Sequence, residues 1–468
     1  MEIYVVNEGD TLQSISDRFD VSVSRLAYDN EIFQGEIVVG QALIIVRPEI
    51  VYTVEEGDTL NSIAENFGIT VNDILRNNSF LLNENFLLPG RELVITYNIK
   101  NIDRLDIDNI STDNSGTYDI ISVNSENNND DINNNNLQTD DNRNNYVING
   151  SRNIDIYGYA YPFIREDVLE EASLYIDELL PFSYGFNEDG TLIYLNDEGL
   201  IDNALRFDNR LRMVITPLDR NGRFNNQQVV NLLSNEGVQE VLIDNIIEVM
   251  NDKGYTALDI DFEFIPGEFR YEYIEFVRKT RERLNVSGYE VSVALPPKTS
   301  SDQPGLLYEG IDYAGLGNTA NSVFLMTYEW GYKYGPPMAV APIPSVRRVL
   351  DYAVSEITVD KIYMGIPNYA YDWPLPYERG VTIAETIGNT EAVRRAYEYG
   401  TEILYDEKSE APYYYYTDEN ETEHVVWFED VRSITAKYEL VREYGFRGAG
   451  YWNLMREFRP NWVYVNLL

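Results

Sequence analysis

Residues 257–263 read Ala-Leu-Asp-Ile-Asp-Phe-Glu, a strict alternation that sets three carboxylates, Asp259, Asp261 and Glu263, against apolar neighbours. Successive side chains of a strand point to opposite faces, so such a strand has one oily face and one acidic face. The oily face needs a layer to pack on, and the surrounding sequence supplies one. From residue 153 onward short apolar strand patterns alternate with helical ones. Strand patterns fall at 155–161, 212–217, 256–263, 290–295, 322–328, 361–367 and 448–452, with a weaker one at 181–186. Helical patterns fall between them, at 225–234, 237–252, 268–284, 344–357 and 430–443. Eight strands interleaved with helices predict an α/β fold, a (β/α)8 TIM barrel over 153–468, with a doubly wound sheet as the alternative. The Tyr- and Glu-rich segment at about 374–428 exceeds any simple loop and predicts a small α+β insertion after strand seven.

In a barrel the oily face of 257–263 meets the helices and the three acids line the interior. Acids two apart on a strand are roughly 6.6 Å apart, too close for all to ionise in a poorly hydrated barrel mouth. At least one proton is therefore held near neutral pH. Barrel active sites lie at the C-terminal ends of the strands, and Glu263 is the last acid before the turn residues Pro266-Gly267, which makes it the candidate acid group. Alternation alone also fits a solvated edge strand of an antiparallel sheet, or a carboxylate cation site lacking a Gly-centred calcium loop.

Composition narrows the chemistry. The 468 residues include no cysteine and one histidine, His424, so thiol nucleophiles, Cys-ligated metals and multi-His sites are excluded and carboxylates and hydroxyls must do the work. No metal or cofactor is expected. With 78 Asp+Glu against 36 Lys+Arg the net charge is -42, spread along the chain, which opposes binding to nucleic acid and to anionic lipid. No apolar run is long enough to insert in a membrane, and the start at Met1 lacks the basic and apolar regions of a secretory signal.

The first hundred residues repeat. Tyr-Val-Val-Asn-Glu-Gly-Asp-Thr-Leu-Gln-Ser-Ile at 4–15 returns as Tyr-Thr-Val-Glu-Glu-Gly-Asp-Thr-Leu-Asn-Ser-Ile at 52–63. Each unit predicts strand, helix, helix, strand, with Asp10 or Thr11 (Asp58 or Thr59) capping the first helix. Two small βααβ modules result, at 1–48 and 49–97. Both resemble the lysin motif (LysM), which grips the N-acetyl groups of peptidoglycan or chitin between its first strand-helix loop and the loop before its last strand. The resemblance implies glycan contacts from Gly9, Asp10, Thr11, Leu12 and Asn30 in the first copy and from Gly57, Asp58, Thr59, Leu60 and Asn78 in the second. The first copy has Val39-Gly40 where the second has Leu88-Pro89-Gly90, which implies a weaker grip. Between modules and barrel, residues 98–152 form an Asn/Asp-rich linker: 127–145 hold ten Asn and four Asp, too polar to bury a core. A poor strand at 118–123 aside, the linker is expected to space binder from catalyst.

The acid strand resembles the Asp-x-x-Asp-x-Asp-x-Glu signature of glycoside hydrolase family 18. Supporting motifs follow in order: Met326-Thr-Tyr328-Glu329, Gly365-Ile-Pro-Asn-Tyr369 and Gly450-Tyr-Trp452. The resemblance implies substrate-assisted hydrolysis, in which the sugar's own 2-acetamido group is the nucleophile. Glu263 would be the acid/base, Asp261 would orient the acetamido N–H, and Tyr328 would bond its oxygen. Asp259, Met326, Glu329, Tyr369 and Trp452 would complete the substrate site, with Asp259 tuning Asp261 and Trp452 as its apolar floor. Trp330, Asp372 and Trp373 are rim candidates by placement, and His424 is expected to be structural. Two positions depart from the pattern. Thr256 stands where the first acid is usual, next to Ala257 for Gly, which should make Asp259 easier to ionise, and Glu329 stands for the usual Asp.

Two lysin motifs followed by Met-Thr-Tyr-Glu-Trp-Gly-Tyr at 326–332 and Tyr-Asp-Trp-Pro-Leu-Pro-Tyr at 371–377 are similar to the cortical fragment-lytic and germination glycosidases of spore-forming bacteria. That likeness implies an N-acetylglucosaminidase acting on cortex peptidoglycan or its fragments and associated with the spore coat, cortex or cell wall. Spore-coat proteins are further possible partners, and deposition would need no signal peptide. A chitinase and a non-catalytic wall-binding coat protein are the alternatives.

Overall fold

A computed structural model of the chain describes residues 1–83, 87–97, 117–118, 154–219 and 222–468. Eight parallel strands close a barrel in chain order: Asp155–Ala160, Glu178–Pro181, Arg210–Ile215, Ala257–Ile260, Glu290–Leu295, Ser322–Leu325, Ile362–Pro367 and Gly448–Trp452. The last strand pairs with the first, Gly450 lying opposite Tyr157, so no edge is left open. The expected TIM barrel is present. Leu258, Ile260 and Phe262 are buried on the outside of strand four, where Phe262 stacks on Tyr273 and Phe276 of the following helix, Arg270–Asn285.

Two boundaries differ from expectation. Strand two is Glu178–Pro181, upstream of 181–186; its inward Glu178 is a buried acid paired with Arg212, which breaks the apolar pattern a strand is recognised by. The insertion begins at Ala370 and not at 374. Its strands Ala370–Pro374, Glu385–Ile387, Leu404–Asp406, Ala411–Thr417 and Glu423–Trp427 form an antiparallel sheet packed on the helix Asn389–Glu398. Within it Asp372 and Trp373 are buried, and neither reaches the rim assigned to it by placement. Asp372 accepts from Tyr416 and faces His424 Nδ1 at 2.7 Å, while Trp373 Nε1 donates to the Gly335 carbonyl.

Both N-terminal modules have the expected strand-helix-helix-strand order, with helices Leu12–Phe19 and Val23–Asp29 in the first and Leu60–Phe67 and Val71–Asn77 in the second. Thr11 and Thr59 are the N-caps, each reciprocated by a serine three residues on, Ser14 and Ser62. Asp10 and Asp58 instead brace the loop before the helix. Each accepts from a tyrosine hydroxyl, Tyr4 at 2.6 Å and Tyr52 at 2.7 Å, and from a backbone N–H of the turn.

Asn30 and Asn78 overturn their assigned role as glycan contacts. Their amides are buried and spent on backbone: Asn30 donates to the carbonyls of Leu26 and Ile44 and accepts from Ile44 N, and Asn78 does the same with Ile74 and Val94. Each clasps the second helix of its module to the last strand. A buried amide finds no cheaper way to satisfy its donors and acceptor.

The modules pack against the barrel. Ala42, Ile44, Val46, Val94 and Tyr97 share one buried apolar cluster with barrel residues. Arg76 Nε donates to the Leu174 carbonyl at 2.6 Å, Tyr175 Oη to the Arg76 carbonyl at 2.7 Å, and Arg459 N to Glu31 at 2.9 Å. Tyr28 and Ser79 hydroxyls, 2.7 Å apart, join one module to the other. The expected spacing of binder from catalyst is thus corrected: apolar patches shared by the three bodies favour contact over separation. Of the strand expected at 118–123, only Tyr118 is among the described residues, in the two-residue strand Thr117–Tyr118 beside Ile3 and Tyr4.

Candidate active site

Strand four ends at Ile260, with Asp261 N still donating to the Ile215 carbonyl of strand three at 3.0 Å, so Asp261 and Glu263 stand just past its C-terminal end, at the barrel mouth. A cavity of about 680 Å³ opens there, and Asp261, Glu263, Met326, Tyr328, Glu329 and Trp452 all line it. Different strand ends therefore bring six of the expected site residues to one place. Gly365 on strand seven makes room for one of them. A Cβ there would lie 2.7 Å from the Tyr328 ring.

The other two expected residues sit behind the cavity wall. Asp259 is fully buried one layer down, where Tyr159 Oη donates to it at 2.9 Å and the Ser292 hydroxyl donates to its other oxygen. Tyr369 is buried and donates to Glu329, as does Tyr371 Oη at 2.9 Å. Tyr369, expected at the substrate, instead holds Glu329, and Asp259, expected to tune Asp261, acts on the Asp261 carboxyl through its charge. Glu329 has a positive φ of 67°, and the two tyrosine hydroxyls fix its extra methylene in that turn.

Beneath Asp259 the barrel interior is charged. Arg212 lies opposite Ala257 in register, and its Nε and Nη2 donate to Glu178 at 3.0 and 2.9 Å while Nη1 donates to Ser292 Oγ at 3.1 Å. Only a small side chain at 257 leaves this layer to the guanidinium. Thr256 stays outside it: the residue is exposed at the barrel bottom with its hydroxyl on the Leu211 carbonyl. Burial pushes the Asp259 carboxyl above the usual range, with Ser292, Arg212 and Tyr159 pulling it back.

Asp261 is the least satisfied group of the arrangement. Its carboxyl is pushed well above the usual range by burial, then by Glu263 and Asp259, and among the described residues no donor reaches its Oδ1. Glu263 is also raised, by burial and then by Glu329. Burial likewise raises Glu329, against the pull of Tyr369 and Tyr371. A proton is thus held in the acid cluster at pH values where free carboxyls have lost theirs, next to an acceptor atom that no donor among the described residues satisfies.

Trp452 forms an apolar wall with Phe182, their ring centroids 4.8 Å apart at 75°. Sequence reasoning missed Phe182, Tyr159, Arg212 and Ser292. For Arg212 a signal existed, an arginine at an inward position of a predicted strand, where only a buried partner makes it tolerable.

The family model for glycosyl hydrolases family 18 matches residues 221–457, and the model for the LysM domain matches 4–46 and 52–96. The chain belongs to glycosyl hydrolases family 18. It is therefore a glycoside hydrolase carrying two LysM domains. Among its relatives in the family is the cortical fragment-lytic enzyme of Bacillus subtilis (strain 168), 39% identical over 301 residues that cover 64% of this chain and 70% of the relative. The crystal structure of the Bacillus megaterium QM B1551 spore cortex-lytic enzyme SleL superposes with a TM-score of 0.75 at 32% identity, covering 99% of this chain and 97% of that one. The putative sporulation-specific glycosylase YdhD of Bacillus subtilis (strain 168) is 33% identical over 317 residues, 68% of this chain and 74% of the relative.

Proposed function

We propose that this enzyme cleaves β-1,4 bonds after N-acetylglucosamine in spore cortex peptidoglycan or its fragments, with retention of configuration. The reading rests above all on Asp261, a buried carboxyl whose Oδ1 no donor among the described residues reaches and whose neighbour Glu263 is raised above the usual carboxyl range by burial and by Glu329. A 2-acetamido sugar supplies the missing donor through its N–H. With that bond made, the acetamido oxygen is turned toward C1, and the protonated Glu263 donates to the departing glycosidic oxygen. The acetamido oxygen attacks C1 as the C1–O bond breaks, giving an oxazolinium ion whose positive charge Asp261 stabilises. Glu263, now ionised, takes a proton from water, which attacks C1 and restores the acetamido group. Tyr328 donates to the acetamido oxygen and Trp452 supplies the apolar floor.

The likeness to cortical fragment-lytic enzymes over two thirds of their length supports the cortex as substrate and an association with cortex, coat or wall. The test is mass spectrometry of digested cortex fragments. New reducing ends on N-acetylglucosamine, formed as the β-anomer by nuclear magnetic resonance, are expected. Glu263→Gln should lower the rate by about 10²–10⁴-fold, the worth of a positioned proton donor. Ends on the other sugar, an initial α-anomer, or faster turnover of chitin oligomers than of cortex fragments would refute the reading.

A further inference from the structure

The two LysM domains are not equivalent in this molecule, and their second loops show why. In both domains the glycine before the last strand donates to the first strand at the same place, Gly40 N to Val6 O at 2.8 Å and Gly90 N to Val54 O at 2.7 Å. Val38 and Leu88 match in turn, since Gln41 N donates to Val38 O and Arg91 N to Leu88 O. These matched residues have opposite fates. Leu88 is 53% exposed, whereas Val38 is 5% exposed and buried in the core of the α+β insertion with Ile403, Tyr414 and Phe428.

The backbone repeats the contrast. Ile403 N donates to Val39 O at 2.9 Å, and a Cβ on Gly40 would lie 1.8 Å from the Ile403 carbonyl. A Cβ on Gly90 would meet nothing within 4 Å. Next to this contact, Glu31 of the first domain accepts from Arg459 N, which fixes the domain on the barrel as well. Leu12, at the end of the first loop, is 7% exposed, while its counterpart Leu60 in the second domain stays accessible to solvent.

We infer that the second LysM domain alone takes the glycan, and that the first is a strut whose gripping loop is consumed by the insertion. The inference rests on the reading of the enzyme as anchored on an N-acetylglucosamine polymer. A loop already inserted in an apolar core cannot also close on a sugar without giving up that burial. The first loop of the strut, Gly9 to Leu12, is left without its opposing wall.

Sedimentation of the full chain with insoluble peptidoglycan tests this, in a Glu263→Gln background so that the polymer survives. Both Leu88 and Phe33 are exposed, 53% and 59%, so Leu88→Asp and Phe33→Asp leave the folded core untouched. Leu88→Asp should weaken binding at least about tenfold, the scale of replacing one apolar side chain at a buried interface by a charge. Phe33→Asp should stay within about twofold, as surface changes away from a binding site do. Hydrogen exchange with a soluble N-acetylglucosamine oligomer gives a second readout, in which slowing is expected at 55–60 and 87–90 and no change at 7–12. Weakened binding in Phe33→Asp, or slowing at 7–12, overturns the assignment and leaves the anchoring reading intact. A parent chain that does not sediment overturns both.

Discussion

Glu329 acts on Glu263, and Glu263 on Asp261, through charge. Glu329 is the neighbour that raises the Glu263 carboxyl after burial has done so. Glu329→Gln removes that like charge while keeping the oxygen to which Tyr371 donates. The protonated form of Glu263 is the active donor, so activity falls as pH rises through its pKa; removing the neighbouring negative charge lowers that pKa. The alkaline limb of the kcat/KM profile should therefore move to lower pH in Glu329→Gln. An unmoved or raised limb would mean that Glu329 does not act electrostatically on the acid. Because Asp261 and Glu263 titrate as a pair, the limb belongs to the cluster and is compared between variants, not assigned to one atom. The acid cluster was legible in the sequence because alternation on a strand is a one-residue rule. Its support was not: Ser292, Tyr159 and Arg212 come from three other strands, and only register brings them under Asp259.

At the scale of elements, local rules succeeded wherever contacts are short in sequence. The N-caps Thr11 and Thr59, the helix Asn226–Ser234 and the strand Glu290–Leu295 all follow from nearby residues. Strand two failed because its Glu178 answers to Arg212, which lies 34 residues away. Asn30 and Asn78 misled for a related reason. A repeated polar residue beside a binding loop looks like a ligand contact, yet each is a clasp between helix and strand. Asn30→Ala leaves the Ile44 N–H and two carbonyls unpaired, and Asn78→Ala does the same to Val94 and its partners. A buried group left unpaired costs about 1–3 kcal/mol, so each change should destabilise its own module by about that much. Hydrogen exchange in the last strand of each module, Ala42–Ile45 or Glu92–Tyr97, reads the loss directly. Equal exchange in variant and parent would show that the clasp carries no stability.

Across the whole molecule the decisive question is what joins modules to barrel. Composition pointed to the linker, since an Asn/Asp-rich tract cannot fold alone. No sequence rule reveals that Ile44 and Tyr97 share a core with a distant barrel. The docking surface also contains a titrating group. Glu31 is pushed up to about 7 by burial of its carboxyl and by Glu171, against the pull of Thr390 and of Arg459, whose backbone N–H and charge both face it. Its folded pKa lies above its free value of 4.5, so its favourable state is complete below about 4.5 and is lost as pH rises through 7. A chain with an engineered protease site inside 98–152 separates this contact from the covalent tie. After cleavage the two fragments should still co-elute on gel filtration at pH 5.5, held by the shared apolar cluster. Raising the pH to 8.5 should loosen them, because Glu31 and Glu171 then press two negative charges against the single Arg459. Glu31→Gln keeps an acceptor for Thr390 and Arg459 N but carries no charge, so its fragments should stay together at both pH values. Separation of the parent fragments at pH 5.5 would return the linker to the role that its composition suggested.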